Sequence, residues 1–122
     1  MSQVRVTGKR VLLAEDESQV REAIRLLLAV DQHEVTEARD GREALKLFQP
    51  GRFDLVITDF VMPRMQGDEL AAEIKRQAPA QPVLMISAYV REGTSLASPV
   101  DALLTKPFSF GDLRQAMARL LS

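Results

Sequence analysis

One stretch near the start of the chain decides the fold: Val11-Leu12-Leu13-Ala14-Glu15-Asp16-Glu17. Four consecutive apolar residues have the length of a short strand, and such a run suits a parallel sheet that is covered on both faces. Three acids follow it immediately. The stretch therefore predicts a buried parallel strand that ends in negative charge, at the edge where open parallel sheets bind their ligands.

Further runs of this kind follow along the chain, at Leu55-Val56-Ile57, Val83-Leu84-Met85-Ile86 and Ala102-Leu103-Leu104. Residues 33–38 mix polar and apolar side chains, as an edge strand would. Between the runs, apolar residues recur at helical spacing. Because right-handed crossovers join such alternating elements, the sequence predicts an α/β fold, a doubly wound parallel sheet of five strands with helices on both faces.

Composition narrows the class of protein. The 122 residues suit one domain, and the absence of cysteine excludes disulfides and thiolate chemistry. With 16 basic and 17 acidic residues, no basic surplus indicates a nucleic-acid or membrane partner. No apolar segment has the length of a signal sequence or membrane span. We expect a cytoplasmic domain over residues 10–122 behind a flexible N-terminal arm over residues 1–9.

Five polar side chains follow the predicted strands: Glu15 and Asp16, then Asp59, Ser87 and Lys106. Neighbouring strands lie about 4.8 Å apart, so acids from two of them would repel unless a cation lay between them. Oxygen ligands without cysteine indicate Mg²⁺. Helix capping is the better explanation for any single acid at such a place, and only the whole set indicates a functional site.

This ordered set resembles the receiver domain of two-component response regulators over about residues 10–121. The resemblance implies a flavodoxin-like sheet with strand order 2-1-3-4-5, in either a single-domain receiver or one excised from a longer protein. It also implies a cis peptide bond between Lys106 and Pro107. The matching motifs are the opening stretch, Asp59-Phe60-Val61-Met62-Pro63 with Gly67, Ser87-Ala88, and Lys106-Pro107-Phe108.

By this resemblance we expect the chain to be a phosphorelay switch and not an enzyme, apart from its own phosphotransfer and slow autodephosphorylation. A histidine kinase or phosphotransfer protein would supply the phosphoryl group, and a downstream protein would read the signal, with self-association that depends on phosphorylation as one option. The implied roles are Asp59 as acceptor, Lys106 and Ser87 as contacts to the phosphoryl group, and Asp16, Asp59, the Val61 carbonyl and Glu15 (directly or through water) as Mg²⁺ ligands.

The chain departs from the family pattern at several positions. Glu15 stands where Asp is usual, and Leu103 stands where Tyr or Phe is usual. The interval between Ser87 and Lys106 is shorter than usual by about one helical turn. For this reason, and because Gly93 and two serines favour helix weakly, we expect a short or poorly ordered helix over about residues 90–98.

Val61 and Tyr89 occupy positions that often carry polar groups beside the hydrolytic water. Because neither the aliphatic side chain of Val61 nor the bulk of Tyr89 favours an oriented water, we expect a long-lived phosphorylated form. The competing hypothesis is that the Tyr89 hydroxyl itself orients the water.

Other classes of protein fit the sequence less well. A haloacid-dehalogenase-like phosphatase needs a second Asp where Val61 stands, and a flavodoxin-like binding protein needs a Ser, Thr and Gly loop where this chain is acidic. A P-loop would need Gly in place of Gln3, and a Ser-His-Asp hydrolase has only His33, before the edge strand. A degenerate receiver that binds partners without phosphorylation is the remaining alternative, and metal binding separates the two hypotheses.

Overall fold

The computed structural model describes residues 6–88 and 100–121. Within them, five parallel strands form one sheet in the order β2-β1-β3-β4-β5. The doubly wound sheet and its strand order are thereby confirmed. The elements are β1 (Arg10–Ala14), α1 (Ser18–Val30), β2 (Glu34–Ala38), α2 (Gly41–Leu47), β3 (Leu55–Asp59), α3 (Gly67–Gln77), β4 (Val83–Ser87), β5 (Ala102–Thr105) and α4 (Phe110–Leu121).

Alternate residues of the strands pack into two separate hydrophobic cores, one on each face of the sheet. Leu12 and Val56 pack with α2 and α3 on one face. Leu13 and Ile57 pack with α1 and α4 on the other. All five residues of β3 are buried, which explains why the central strands are continuous apolar runs. The carboxyl end of β3 is therefore fixed from both sides.

Side-chain hydrogen bonds cap the starts of two helices, α2 and α4. The Asp40 carboxylate accepts the Glu43 amide at 2.8 Å. At α4, Ser109 and Asp112 exchange bonds, each side chain accepting the other's amide at 3.0 Å. By contrast, Glu17 lies at the N-cap of α1 without a side-chain cap bond. The loop from β1 to α1 must therefore be held by other contacts.

The residues before β1 are tied to the turn between α1 and β2. Gly8 donates its amide to the Asp31 carbonyl at 3.2 Å, and Lys9 donates its amide to His33 Nδ1 at 3.0 Å. Burial lowers the pKa of His33, which keeps the ring neutral and able to accept this bond. His33 thus has a structural role at the amino end of β2.

Three subjects of the sequence predictions lie wholly or mostly outside the described residues. The predicted helix over residues 90–98 and the side chain of Tyr89 both belong to the range 89–99, and most of the predicted arm precedes residue 6. In the part of the chain that the structure does describe, no helix has the length and apolar character needed to cross a membrane.

Candidate functional site

Three carboxylates meet at the carboxyl edge of the sheet. Glu15 directly follows β1, Asp59 ends β3, and the neighbouring pair Ala14 and Thr58 are in register between these strands. One carboxylate oxygen each of Glu15, Asp16 and Asp59 lies within 4.8 Å of the other two. The structure therefore brings together the acids that the sequence placed after two different strands.

An ammonium group joins two of these acids. Lys106 follows β5, and its Nζ lies 3.1 Å from Glu15 Oε1 and 3.3 Å from Asp59 Oδ2. The Lys106 amide donates to the Ser87 carbonyl at 2.9 Å. The peptide bond between Lys106 and Pro107 is cis, as the resemblance implied. Lys106 is thus held at its backbone while its side chain reaches across the edge of the sheet.

The other carboxylate oxygens accept bonds from the backbone. Asp59 Oδ1 accepts the Phe60 amide at 2.8 Å, and Glu15 Oε2 accepts the Glu17 amide at 3.1 Å. Both side chains are buried, whereas Asp16 is exposed. Buried carboxylates with satisfied oxygens hold a fixed orientation, and the exposed Asp16 leaves the cluster open to solvent on one side.

The proton equilibria reflect this crowding. Burial, with the neighbouring charge of Asp59, raises the pKa of Glu15 to about 7, against the Glu17 amide and Lys106, which favour the carboxylate. Burial opposes the ammonium of Lys106, yet contacts with Glu15 and Asp59 raise its pKa above the usual value. Lys106 therefore stays charged near neutral pH, whereas Glu15 gains or loses its proton in that range.

The donor set fits a small divalent cation. The clustered ligand atoms are all carboxylate oxygens, which hard cations prefer, and Mg²⁺ commonly uses only one or two carboxylates and keeps several waters. Burial is the main cause of the raised pKa of Glu15, and a cation would offset the smaller contribution from the charge of Asp59. Asp16 and Asp59 would hold it, with Glu15 close enough to act directly or through water.

We expect Mg²⁺ affinity to rise with pH across neutrality. The raised pKa means that Glu15 binds a proton at lower pH, and this proton competes with the cation; above about pH 7 the competition ends. Calorimetry in two buffers of different ionisation enthalpy measures both the affinity and the proton released. In Glu15→Gln the pH dependence should flatten. A wild-type affinity that does not change with pH would contradict this assignment.

Two other predicted site residues lie on the same edge. Ser87 ends β4 and is buried, opposite Thr105 of β5. Val61 is 61% exposed in the loop after β3, so its side chain presents an apolar surface to solvent two residues after Asp59. Leu103 occupies the usual aromatic position and is half-buried in β5, in register with Met85.

The loop after β3 folds back tightly onto the strand. The Gly67 amide donates to the Phe60 carbonyl at 2.8 Å. A Cβ on Gly67 would collide with the carbonyl oxygen of Asp59 and would lie 3.0 Å from the Cα of Phe60. Only glycine permits this approach, so the start of α3 sets the path of the backbone at Asp59.

Sequence reasoning missed two arginines that support the site. Arg64 donates from Nη1 to Asp40 Oδ2 at 2.6 Å, which joins the loop after β3 to the start of α2. Arg21 of α1 donates from Nη1 to the carbonyl of Glu15 at 2.9 Å. Neither contact has a local sequence signature, because each depends on where the fold places a side chain relative to another loop.

Comparison with known proteins agrees with the fold described above. A family model described as the response regulator receiver domain matches residues 11–118. The chain belongs to this family. Response regulator MprA of Mycolicibacterium vanbaalenii is 35% identical over 117 residues, covering 92% of this receiver and 50% of MprA. Transcriptional regulatory protein PdtaR of Mycobacterium tuberculosis is 37% identical, covering 93% of the receiver and 57% of PdtaR. The receiver thus spans about half the length of these curated relatives.

Solved structures agree with the receiver fold. TrrA of Thermotoga maritima, solved with Mg²⁺-BeF, has a TM-score of 0.86 and 35% identity, with 93% of this receiver and 99% of that chain covered. Chemotaxis protein CheY4 of Vibrio cholerae has a TM-score of 0.85 and 31% identity, with coverage of 94% and 100%. The whole described architecture is therefore that of a receiver domain.

Proposed function

We propose that this receiver domain is a cytoplasmic phosphorelay switch that takes a phosphoryl group onto Asp59 from a histidine kinase or phosphotransfer protein, with Mg²⁺ as cofactor. One observation carries the proposal: the buried Asp59 carboxylate touches the Lys106 ammonium and lies in one oxygen cluster with Glu15 and Asp16. A fixed ammonium group and a set of metal-binding carboxylates thus surround the carboxylate nucleophile that would accept the phosphoryl group.

In the transfer, a carboxylate oxygen of Asp59 forms a bond to phosphorus as the bond from phosphorus to the donor's imidazole nitrogen breaks, and the imidazole keeps that electron pair. Mg²⁺ held by Asp16 and Asp59 would supply most of the charge neutralisation. The Phe60 amide orients Asp59 through Oδ1. Lys106, which stays charged, shifts from bridging two carboxylates to pairing with phosphoryl oxygens as a point charge.

Two residues would connect the phosphoryl group to its surroundings. The Ser87 hydroxyl, at the end of β4, would donate a hydrogen bond to a phosphoryl oxygen. The position of the loop after β4 would then depend on whether Asp59 is phosphorylated. The Val61 carbonyl would complete the protein ligands of the metal. Apart from this transfer and slow hydrolysis of its own product, we assign no catalytic turnover to the domain.

Two solved receivers support the choice of metal. TrrA was crystallised with Mg²⁺-BeF, and the receiver domain of sensor histidine kinase PA1611 from Pseudomonas aeruginosa has a magnesium ion in its active-site cleft. In this chain, Asp16 and Asp59 supply carboxylates at the carboxyl edge of the sheet, which fits the same kind of ion.

Intact-mass analysis tests the function. The chain is incubated with acetyl phosphate and Mg²⁺, and in parallel with a chelator in place of Mg²⁺. We expect one phosphoryl adduct that depends on the metal. Mg²⁺ binding without an adduct would contradict the acceptor role, and the absence of both would indicate the degenerate receiver that acts as a protein-interaction module.

The exposed Val61 side chain leads to a prediction about signal lifetime. Hydrolysis needs a water in line with the bond from phosphorus to Asp59, and an aliphatic group cannot orient one by hydrogen bonding. We expect Val61→Asn to dephosphorylate several-fold faster than wild type after the donor is removed. Val61→Ala serves as a control because it opens space without adding a polar group. Equal decay rates in Val61→Asn and wild type would refute the shielding argument.

A further inference from the structure

The first turns of α1 contain an arginine that reaches back to the acidic loop. Arg21 donates from Nη1 to the carbonyl oxygen of Glu15 at 2.9 Å, and its Nε lies 3.4 Å from Glu37 Oε1 on β2. Only 16% of its side chain is exposed. One guanidinium group therefore joins the edge strand β2 to the peptide between Glu15 and Asp16.

We propose that Arg21 is a positioning residue for the metal site. In this role, which rests on the proposed function, it fixes the peptide after Glu15 so that the carboxylates of Glu15 and Asp16 converge on Asp59. Arg21 itself touches neither metal nor phosphoryl group. Its partner Glu37 holds the guanidinium fork at the correct angle, and the planar fork suits two simultaneous contacts.

The loop needs such support. Three acids that gather around one point repel each other, and the metal-free loop would relax by turning a carboxylate towards water. The N-cap residue Glu17 makes no side-chain cap bond that would hold the turn. The backbone of Glu15 is instead held at both polar groups, because its amide donates to the Ala38 carbonyl at 3.0 Å and its carbonyl accepts from Arg21.

Electrostatics and positioning predict opposite effects at this residue. Arg21 is a cation close to the acidic cluster. It would repel a Mg²⁺ ion bound there, because both carry positive charge. If charge were its main influence, its removal would strengthen Mg²⁺ binding. If Arg21 positions the ligands, its removal weakens binding. Groups that orient metal ligands from outside the coordination shell typically contribute about tenfold or more to affinity.

The helix offers a matched control in Arg25, one turn further along. Its Nε lies 4.0 Å from Glu37 Oε2 and its Nη2 lies 3.7 Å from Glu22 Oε1. It has the same charge and shares Glu37, but it is more exposed and makes no hydrogen bond to the acidic loop among the contacts of the described residues. Replacement of Arg25 thus tests charge without positioning.

Calorimetric titration with Mg²⁺ alone, without phosphodonor, tests the proposal on wild type, Arg21→Met, Arg21→Lys and Arg25→Met. We expect about tenfold weaker binding in Arg21→Met, an intermediate loss in Arg21→Lys, and unchanged or tighter binding in Arg25→Met. Thermal unfolding without metal verifies that each variant is folded.

Unchanged or tighter binding in Arg21→Met, with normal wild-type binding, would overturn the positioning role and leave the proposed function intact. A wild type that binds no Mg²⁺ would overturn both. Should Arg21→Met fail to fold, Arg21→Lys decides the matter: it keeps the charge and loses the fork, so wild-type affinity in that variant refutes the proposal.

Discussion

Replacement of Asp59 by asparagine is expected to abolish the phosphoryl adduct while leaving the fold intact. The amide has nearly the shape of the carboxylate and can still accept the Phe60 amide bond, but it lacks the negative charge that makes a carboxylate oxygen a phosphoryl acceptor. Loss of that charge also removes a metal ligand. The change should therefore reduce the adduct to below detection by intact-mass analysis with acetyl phosphate and Mg²⁺.

Asp54→Asn is the matched control for this experiment. Asp54 directly precedes β3 and pairs with Arg10. It therefore lies at the opposite end of this strand from Asp59, about 16 Å away at the usual rise per residue. This variant should keep wild-type phosphorylation. An adduct of equal yield in Asp59→Asn would place the acceptor elsewhere and reject the proposed function as stated.

Replacement of Gly67 by alanine should have the second large effect, on both stability and chemistry. The added Cβ would collide with the Asp59 carbonyl, which belongs to backbone buried at the centre of the sheet and cannot move aside cheaply. Overpacking of this kind typically lowers the free energy of unfolding by about 1–3 kcal/mol. Since the displaced residue is the proposed acceptor, the phosphoryl adduct should also decrease strongly.

Gly111→Ala is the corresponding control near the start of α4. A Cβ there would lie 3.6 Å from Ser109 Oγ, an ordinary contact, and alanine is preferred over glycine in helices by about 1 kcal/mol. Urea unfolding should therefore show unchanged or increased stability for Gly111→Ala. Wild-type stability and phosphorylation in Gly67→Ala would mean that the loop after β3 adapts more freely than its close packing indicates.

The central part of the fold was predictable because its signal is local. Runs such as residues 55–57 have no polar residue to place in water, so they indicate strands buried on both faces, and the sheet follows from how such strands are connected. The convergence of Glu15, Asp59 and Lys106 was predictable for the same reason, since parallel strands bring their carboxyl ends to one edge. The β2 segment was correctly assigned to the edge from its mixed polarity.

The supporting contacts were not predictable in this way. The bond from Arg21 to the Glu15 carbonyl depends on the angle at which α1 leaves its loop, and the ion pair between Arg64 and Asp40 spans 24 residues. Many arginines on helices and loops could make such contacts, so the sequence does not show which group a given arginine will contact. The raised pKa of Glu15 likewise results from burial, which the sequence does not state.

The source of Lys106 has a consequence for how the domain opens. Glu15 directly follows β1 and Asp59 ends β3, two strands in the middle of the sheet. Lys106 follows β5, a four-residue edge strand in which no residue is fully buried. Edge strands separate from a sheet at lower free energy than its centre. A transient departure of β5 would withdraw the ammonium from two buried acids without separating β1 from β3. The proposed phosphotransfer is therefore expected to be less stable than the fold. Mild denaturing conditions should abolish it before they unfold the domain.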